Sequence, residues 1–235
     1  MKNEKRKIYI TFANELPTDR MAGNLDFSLF TFHFKNFTSN FLTMKKDIIL
    51  CGVGGQGILS IATVIGEAAT EAGLNLKQAE VHGMSQRGGD VQSNLRLSTE
   101  NIYSDLIPQG GTDVVISMEP MEALRYLPYL AKTGTIVTSS KPFVNIPNYP
   151  DEAALMAELD AMPSVVKLDI ESVAKDAGNA RGANMVLLGM AAPFIEILTV
   201  EQLRKAIAVI FARKGDAVVE ANLKAFDSGV EASKK

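Results

Sequence analysis

A glycine-rich turn between a short apolar segment and an amphipathic helix constrains the fold of this chain more than any other feature. Residues 48–51 predict a buried strand, and Gly52-Val-Gly-Gly-Gln-Gly57 follows them directly. Apolar residues then recur at helical spacing over 58–72, and Gly73 ends that predicted helix. A strand, a glycine turn and a helix in this order begin a βαβ unit, whose second strand runs parallel to the first.

The rest of the chain continues this alternation. Further strands are predicted at residues 76–81, 91–97, 113–117, 134–138 and 165–169, and further helices at 120–130, 151–162, 171–176, 183–195, 200–211 and 217–226. The 235 residues are enough for one large α/β domain. We therefore predict a single three-layer, Rossmann-like α/β domain over residues 44–235. It would have a mainly parallel sheet, helices on both faces and a C-terminal helical cap.

Residues 1–43 differ in composition from the rest of the chain. They contain seven of the eleven phenylalanines, and Phe alternates with polar residues over 27–41 without an obvious partner strand. The apolar stretch 8–13 is too short for the core of a signal peptide. We predict that Met44 is the natural start and that residues 1–43 are an upstream extension, either disordered or a start-site artefact. A genuine N-terminal arm that packs on a partner is the alternative.

Composition excludes several classes of protein. Acidic residues (27) outnumber basic ones (24), which argues against a nucleic-acid-binding protein. One cysteine, Cys51, and two histidines, His33 and His82, cannot form a Cys/His zinc site, a [4Fe–4S] cluster or an internal disulfide. The longest apolar run, residues 185–195, is about half of the ~20 residues that a membrane helix needs. We therefore expect a cytoplasmic protein that binds neither nucleic acid nor a membrane.

The first glycine turn has the spacing of a phosphate-binding loop. Glycines allow a tight turn, and the helix that follows presents free N–H groups to an anion. One interpretation is a nicotinamide or flavin dinucleotide site, with Glu80 at the end of the second strand on a ribose hydroxyl. That would make the chain a stand-alone reductase or a nucleotide-sensing module. Equally, the glycines could serve only the close packing of the helix on the sheet.

A second glycine-rich segment, Val81-His-Gly-Met-Ser-Gln-Arg-Gly-Gly-Asp90, follows the second strand. The carboxyl ends of parallel strands share one edge, so this segment should lie near the first turn. Arg87 beside two glycines suits an anion. The alternatives are an ion pair of Arg87 with Asp90 or with a neighbouring chain, and a structural hydrogen-bonding role for His82. The candidate catalytic residues are His82 and Arg87, and the candidate cofactor-binding residues are Gly52, Gly54, Gly55, Gln56, Gly57, Gln86, Gly88 and Gly89.

Two further motifs, Leu106-Ile-Pro108 and Glu119-Pro-Met-Glu-Ala-Leu-Arg-Tyr-Leu127, complete a family resemblance. Together with the two glycine-rich segments they resemble the small (beta) subunit of indolepyruvate:ferredoxin oxidoreductase. That subunit is similar to the gamma domain of the 2-oxoacid:ferredoxin oxidoreductases. The resemblance extends from Met44 to about Phe226, and the form His82-Gly-Met-Ser-Gln-Arg-Gly-Gly89 implies the arylpyruvate branch.

The resemblance implies one subunit of an oxidoreductase that is not active alone. In such an enzyme thiamine diphosphate attacks the keto carbon of an aromatic 2-oxo acid and carbon dioxide leaves. Two electrons then pass singly through [4Fe–4S] clusters to ferredoxin, and coenzyme A takes the acyl group as co-substrate. One cysteine and the lack of a Gly-Asp-Gly motif imply that this chain binds none of these cofactors by itself. A larger alpha subunit would hold them.

Overall fold

A six-stranded sheet forms the centre of the protein. The computed structural model describes residues 43–82 and 89–234. The strands are β1 (Lys45–Val53), β2 (Asn75–His82), β3 (Asp90–Ser98), β4 (Thr112–Ser117), β5 (Leu130–Ser139) and β6 (Val165–Leu168). They lie in the order β2-β3-β1-β4-β5-β6. Strands β1, β4, β5 and β6 are parallel, whereas β3 is antiparallel to both of its neighbours, β1 and β2.

The reversed strand β3 follows from the length of its connection. Only residues 83–89 separate β2 from β3. A parallel pair needs a crossover of about a dozen residues or more, so this connection can only produce an antiparallel neighbour. In the observed order β3 lies between β1 and β2, and β2 runs in the same direction as β1. The prediction of a mainly parallel sheet is confirmed.

Seven α-helices cover both faces of this sheet in the described residues. They are α1 (Ile58–Glu71), α2 (Pro120–Arg125), α3 (Glu152–Asp160), α4 (Ile170–Asp176), α5 (Ala183–Ile195), α6 (Val200–Phe211) and α7 (Asp216–Ala232). The larger apolar core lies between the sheet and helices α1, α4, α5, α6 and α7. The smaller core lies on the other face, against α2 and α3. The predicted three layers and the C-terminal helical cap are therefore present.

Helix α2 is shorter than the predicted helix 120–130. It ends at Arg125, and a 3₁₀ turn at Leu127–Tyr129 follows. Pro128 explains the difference, because proline has no N–H to donate to the carbonyl four residues earlier and its ring clashes with that carbonyl. The chain then enters β5 at Leu130, four residues before the predicted strand.

Two glycines bring helices α5 and α7 into backbone contact. A Cβ atom at Gly189 would collide with the carbonyl oxygen of Phe226 and lie 2.9 Å from the Val230 nitrogen. A Cβ atom at Gly229 would collide with the carbonyl oxygen of Val186. Helix α5 is buried over most of its length, so this contact fixes how the last helix covers the core.

The start of α4 provides a first testable prediction. Asp169 accepts hydrogen bonds from the Ser172 N–H (3.0 Å) and hydroxyl (2.8 Å), and the backbone bond is the main cause that lowers the pKa of Asp169. We expect Asp169→Ala to lower the free energy of unfolding by about 1 kcal/mol at pH 7.

A carboxyl group whose pKa is lowered by folding stabilises the protein fully at pH values above its unfolded-state pKa of about 3.9. This stabilisation is lost as the pH falls through the pKa of the folded state. Urea denaturation at pH 7 and at pH 3 should therefore show a smaller effect of Asp169→Ala at pH 3. Asp169→Asn, which keeps a capping oxygen, is the control and should cost less than alanine at pH 7. An alanine effect that is equal at both pH values would contradict the account.

The predicted N-terminal extension lies outside the described residues except for Thr43, so its boundary at Met44 stays a prediction. Within residues 43–82 and 89–234, no helix is both long and apolar enough to cross a membrane.

Candidate functional site

The two glycine-rich segments meet at the carboxyl edge of the sheet. Gly52 in β1 lies opposite Val91 in β3, and Val91 lies opposite His82 in β2. The N–H of Gly54 donates to the carbonyl oxygen of Gly89 at 2.8 Å, which joins the first glycine turn to the end of the second segment. The described ends of the second segment, His82 and Gly89, thus lie at the same edge of the sheet as the first turn.

The first glycine turn closes on itself through Gln56. Its Oε1 atom accepts a hydrogen bond from the Val53 N–H at 2.7 Å, and a Cβ atom at Gly52 would lie 2.9 Å from that same oxygen. Gly52 also needs its small size because Met118, which follows β4, lies close on the other side. The Gln56 oxygen and the Gly54 N–H are therefore already engaged within the protein.

Gly57 is the N-cap residue of helix α1 and adopts a left-handed conformation (φ +88°). Asn184, at the start of α5, donates from Nδ2 to the Gly57 carbonyl oxygen at 3.2 Å, and a Cβ atom on Gly57 would lie 2.6 Å from that nitrogen. No side chain of the described residues caps the first turn of α1. The Ser60 N–H donates to the Gly57 carbonyl oxygen at 3.1 Å, so the N–H groups that an anion can use are those before Ser60.

A cavity of about 340 Å³ adjoins this turn. Its lining residues are Val53, Gly54, Gly55, Gly57, Ile58, Leu59 and Val91. Its walls are glycine backbone and aliphatic side chains, and Leu59 is 45% exposed there. The size falls in the range of small-molecule sites, and the lining suits an apolar group beside an anion-binding helix terminus.

The position of Glu80 does not support a dinucleotide site. Strand β3 separates β2 from β1, so Glu80 lies two strands, about 10 Å, from the strand that carries the glycine turn. In the dinucleotide-binding fold these two strands are direct neighbours. Glu80 instead accepts a hydrogen bond from Gln78 at 2.6 Å on the exposed edge strand.

The proposed catalytic roles stay predictions. The backbone of His82 ends strand β2, but its side chain, together with Gln86, Arg87 and Gly88, lies outside the described residues. Gly55 has φ +101° and is exposed at the tip of the turn, with open space where a Cβ would be. The first glycine turn and Gly89 both lie at the carboxyl edge of the sheet.

Glu119 is a residue of this edge whose role the sequence did not reveal. Its side chain is fully buried and caps α2 by accepting from the Glu122 N–H at 2.9 Å. Its other oxygen accepts from the Phe143 N–H at 3.3 Å and from the Tyr149 hydroxyl. Burial, followed by the hydrogen bond to the carboxylate, raises the pKa of Tyr149. Glu119 thus ties the loop after β5 to the end of β4.

The sequence held only part of the signal for Glu119. Pro120 at the first helical position is typical of a helix N-terminus, so the start of α2 was predictable, but glutamate is not one of the usual capping residues. The Tyr149 contact spans 30 residues of sequence, and no local pattern predicts it.

Comparison with known proteins decides the family. Residues 47–232 match the family described as pyruvate ferredoxin/flavodoxin oxidoreductase. The chain belongs to this family. The indolepyruvate oxidoreductase subunit IorB of Thermococcus kodakarensis is 38% identical over 202 residues, which cover 82% of this chain and 98% of that protein.

Two other members of the family show how this domain occurs. The gamma subunit of a keto/oxoacid ferredoxin oxidoreductase from Geobacter sulfurreducens has a similar structure (TM-score 0.60, 26% identity), covering 80% of this chain and 98% of that one. The ketoisovalerate oxidoreductase subunit VorA of Methanothermobacter thermautotrophicus is 28% identical over 77% of this chain, but the match covers only 35% of VorA. The domain therefore occurs both as a separate chain and as part of a longer one.

Proposed function

We propose that this chain is the small subunit of an arylpyruvate:ferredoxin oxidoreductase of the indolepyruvate type. The observation that carries the proposal is the 38% identity to an indolepyruvate oxidoreductase subunit along 98% of that protein. The complete enzyme would convert an aromatic 2-oxo acid, coenzyme A and two oxidised ferredoxins into acyl-CoA, carbon dioxide, a proton and two reduced ferredoxins.

The residues present do not fit the redox cofactors of this reaction. Cys51 is the single cysteine, and burial in the core raises the pKa of its thiol, whereas a [4Fe–4S] cluster needs four thiolates or equivalent ligands. Within the described ranges no group of three His, Cys, Asp or Glu side chains could hold a metal ion. We therefore assign the [4Fe–4S] clusters to a larger alpha subunit.

Thiamine diphosphate belongs to the same partner in this proposal. Its diphosphate is held through Mg²⁺, which takes oxygen ligands such as carboxylates. Among the described residues, those that line the cavity beside the glycine turn contribute glycine backbone and aliphatic side chains and no carboxylate. The described lining does not fit a magnesium diphosphate.

The chain would contribute one wall of the active-site cleft. Both the 2-oxo acid and coenzyme A are anions with an apolar part, and the glycine turn offers uncapped helix N–H groups beside an aliphatic cavity. We assign Arg87 to the same anion, since a guanidinium flanked by glycine amides binds carboxylate or phosphate well.

The function is tested by anaerobic reconstitution of this chain with the larger subunit. Viologen reduction is followed with indolepyruvate and coenzyme A, and each component is left out in turn. We expect activity only when both chains, the 2-oxo acid and coenzyme A are present. Binding of NAD(H) by this chain alone, without association of the two chains, would instead support the dinucleotide-dependent alternative and overturn the proposal.

Replacing Arg87 tests its place in the cleft. Arg87→Ala should lower kcat/KM by about tenfold or more in a complex that still assembles, because a hydrogen bond to a charged group contributes about 1.5–3 kcal/mol. Arg213→Ala is the matched control, since Arg213 is exposed on the turn between α6 and α7. Equal kinetics for both variants and the wild type would remove Arg87 from the site.

A further inference from the structure

Three exposed apolar side chains cluster on the loop after β5. This loop, residues 140–151, connects β5 to α3 and contains no helix or strand. Phe143 is 45% exposed, Val144 71% and Ile146 37%. The loop is longer than most connections in compact domains, whose median length is about 4–6 residues.

The loop is fixed rather than loosely attached. The buried Glu119 carboxylate accepts from the Phe143 N–H and the Tyr149 hydroxyl. The Tyr149 N–H donates to the Ile146 carbonyl oxygen at 3.3 Å, and the Ser140 N–H donates to the Leu168 carbonyl oxygen at 2.8 Å. Because these bonds already order the backbone, a partner that covers the apolar side chains pays little further conformational entropy.

The loop lies at the same edge of the sheet as the glycine turn. Strand β4 alone separates β5 from β1, and Met118 after β4 lies against Gly52 in the first glycine turn. A chain that covered the 140–151 loop would therefore also stand over the carboxyl edge, where the candidate cleft opens.

We propose that the 140–151 loop is the contact through which this chain docks on the larger subunit of the oxidoreductase. The proposal rests on the proposed function and names the partner surface of that site. In VorA the region similar to this chain is 35% of one polypeptide, so about two thirds of that protein accompanies the domain covalently. In IorB and in the Geobacter gamma subunit the similar region makes up 98% of the polypeptide, so in those relatives a contact between chains must replace the covalent link.

The other exposed features suit this role less well. Tyr103 and Leu106 are exposed, but they lie in the connection from β3 to β4, at the opposite edge of the sheet. The groove of about 890 Å³ between β6 and α7 is lined by charges of both signs, including Lys167, Lys224 and Asp227. Interface cores are depleted in charged residues and enriched in aromatic ones. The exposed side chains Phe143, Val144 and Ile146 fit this composition, because all three are uncharged and one is aromatic.

The test measures the dissociation constant between this chain and the immobilised larger subunit under anaerobic conditions. Val144→Asp should weaken binding at least tenfold, because it places a charge in the centre of the apolar contact. Val209→Asp is the matched control: Val209 is also exposed (49%), but it lies on α6. Thermal unfolding of both variants should match the wild type, since neither side chain is buried.

Three results would overturn the docking proposal. The first is wild-type affinity for Val144→Asp, and the second is equal weakening by Val209→Asp. The third is a larger loss for Tyr103→Asp, which would place the contact at the opposite edge. Failure of the wild-type chain itself to bind the larger subunit would instead refute the proposed function, and the docking proposal with it, so the two failures are distinguishable.

Discussion

Gly229→Ala and Gly189→Ala should each lower the free energy of unfolding by about 3 kcal/mol or more, because a methyl group at either position must push helices α5 and α7 apart. The Cβ of an alanine at 229 would collide with the Val186 carbonyl oxygen and lie 3.0 Å from the Met190 nitrogen. Both obstacles are backbone atoms of α5, which cannot rotate away. Urea denaturation followed by circular dichroism measures the effect.

The matched control is a helical glycine without this contact. Gly66 lies inside α1, and a Cβ there would meet only the end of the Leu76 side chain at 3.4 Å. Alanine is favoured over glycine in a helix by about 1 kcal/mol, so Gly66→Ala should leave stability unchanged or raise it. The same glycine-to-alanine change should therefore lower the stability at position 229 and leave it unchanged or raise it at position 66. Similar small effects at Gly66 and Gly229 would contradict the described contact of α5 with α7.

The second large effect is expected at Glu119. Glu119→Ala removes the acceptor of the Glu122 N–H, the Phe143 N–H and the Tyr149 hydroxyl at once. Donors left without a partner in a buried place cost about 1–3 kcal/mol each, so the variant should lose at least about 2 kcal/mol even if water reaches part of the site. Glu119→Gln keeps acceptor capacity and should lose less.

Hydrogen exchange separates a local from a general effect of this substitution. In Glu119→Ala the Phe143 amide should exchange much faster, whereas amides of the central strand β1 should follow only the change in overall stability. Glu220→Ala, on the exposed side of α7, is the control and should change neither. Unchanged protection of Phe143 would mean that Glu119 does not hold the 140–151 loop.

Local patterns predicted most of the secondary structure. Helices 183–195 and 200–211 are observed with the predicted bounds, the second because Thr199 and Gln202 form a capping box before an amphipathic run. The direction of β3 was not predicted, although the shortness of the connection 83–89 already requires an antiparallel neighbour. The α5–α7 contact was not predicted either, because a glycine in a helical pattern does not reveal what packs against it.

The candidate site was predictable to the same degree. The spacing of Gly52, Gly54 and Gly57 placed the turn between strand and helix, where the structure has it. Two hydrogen bonds of the site could not be inferred from the sequence. Asn184 lies 127 residues from its partner Gly57, and Tyr149 lies 30 residues from its partner Glu119. These contacts arise from tertiary packing, which leaves no periodic signal in the sequence.

The central claim is that this chain completes an enzyme whose redox cofactors lie in another subunit. The most direct measurement is a titration, in which this chain is added to a fixed amount of the larger subunit and viologen reduction by indolepyruvate and coenzyme A is recorded. We predict almost no viologen reduction without this chain. As this chain is added, the activity should rise and saturate at a fixed molar ratio of this chain to the larger subunit. Full activity of the larger subunit alone, or no change on adding this chain, would contradict it.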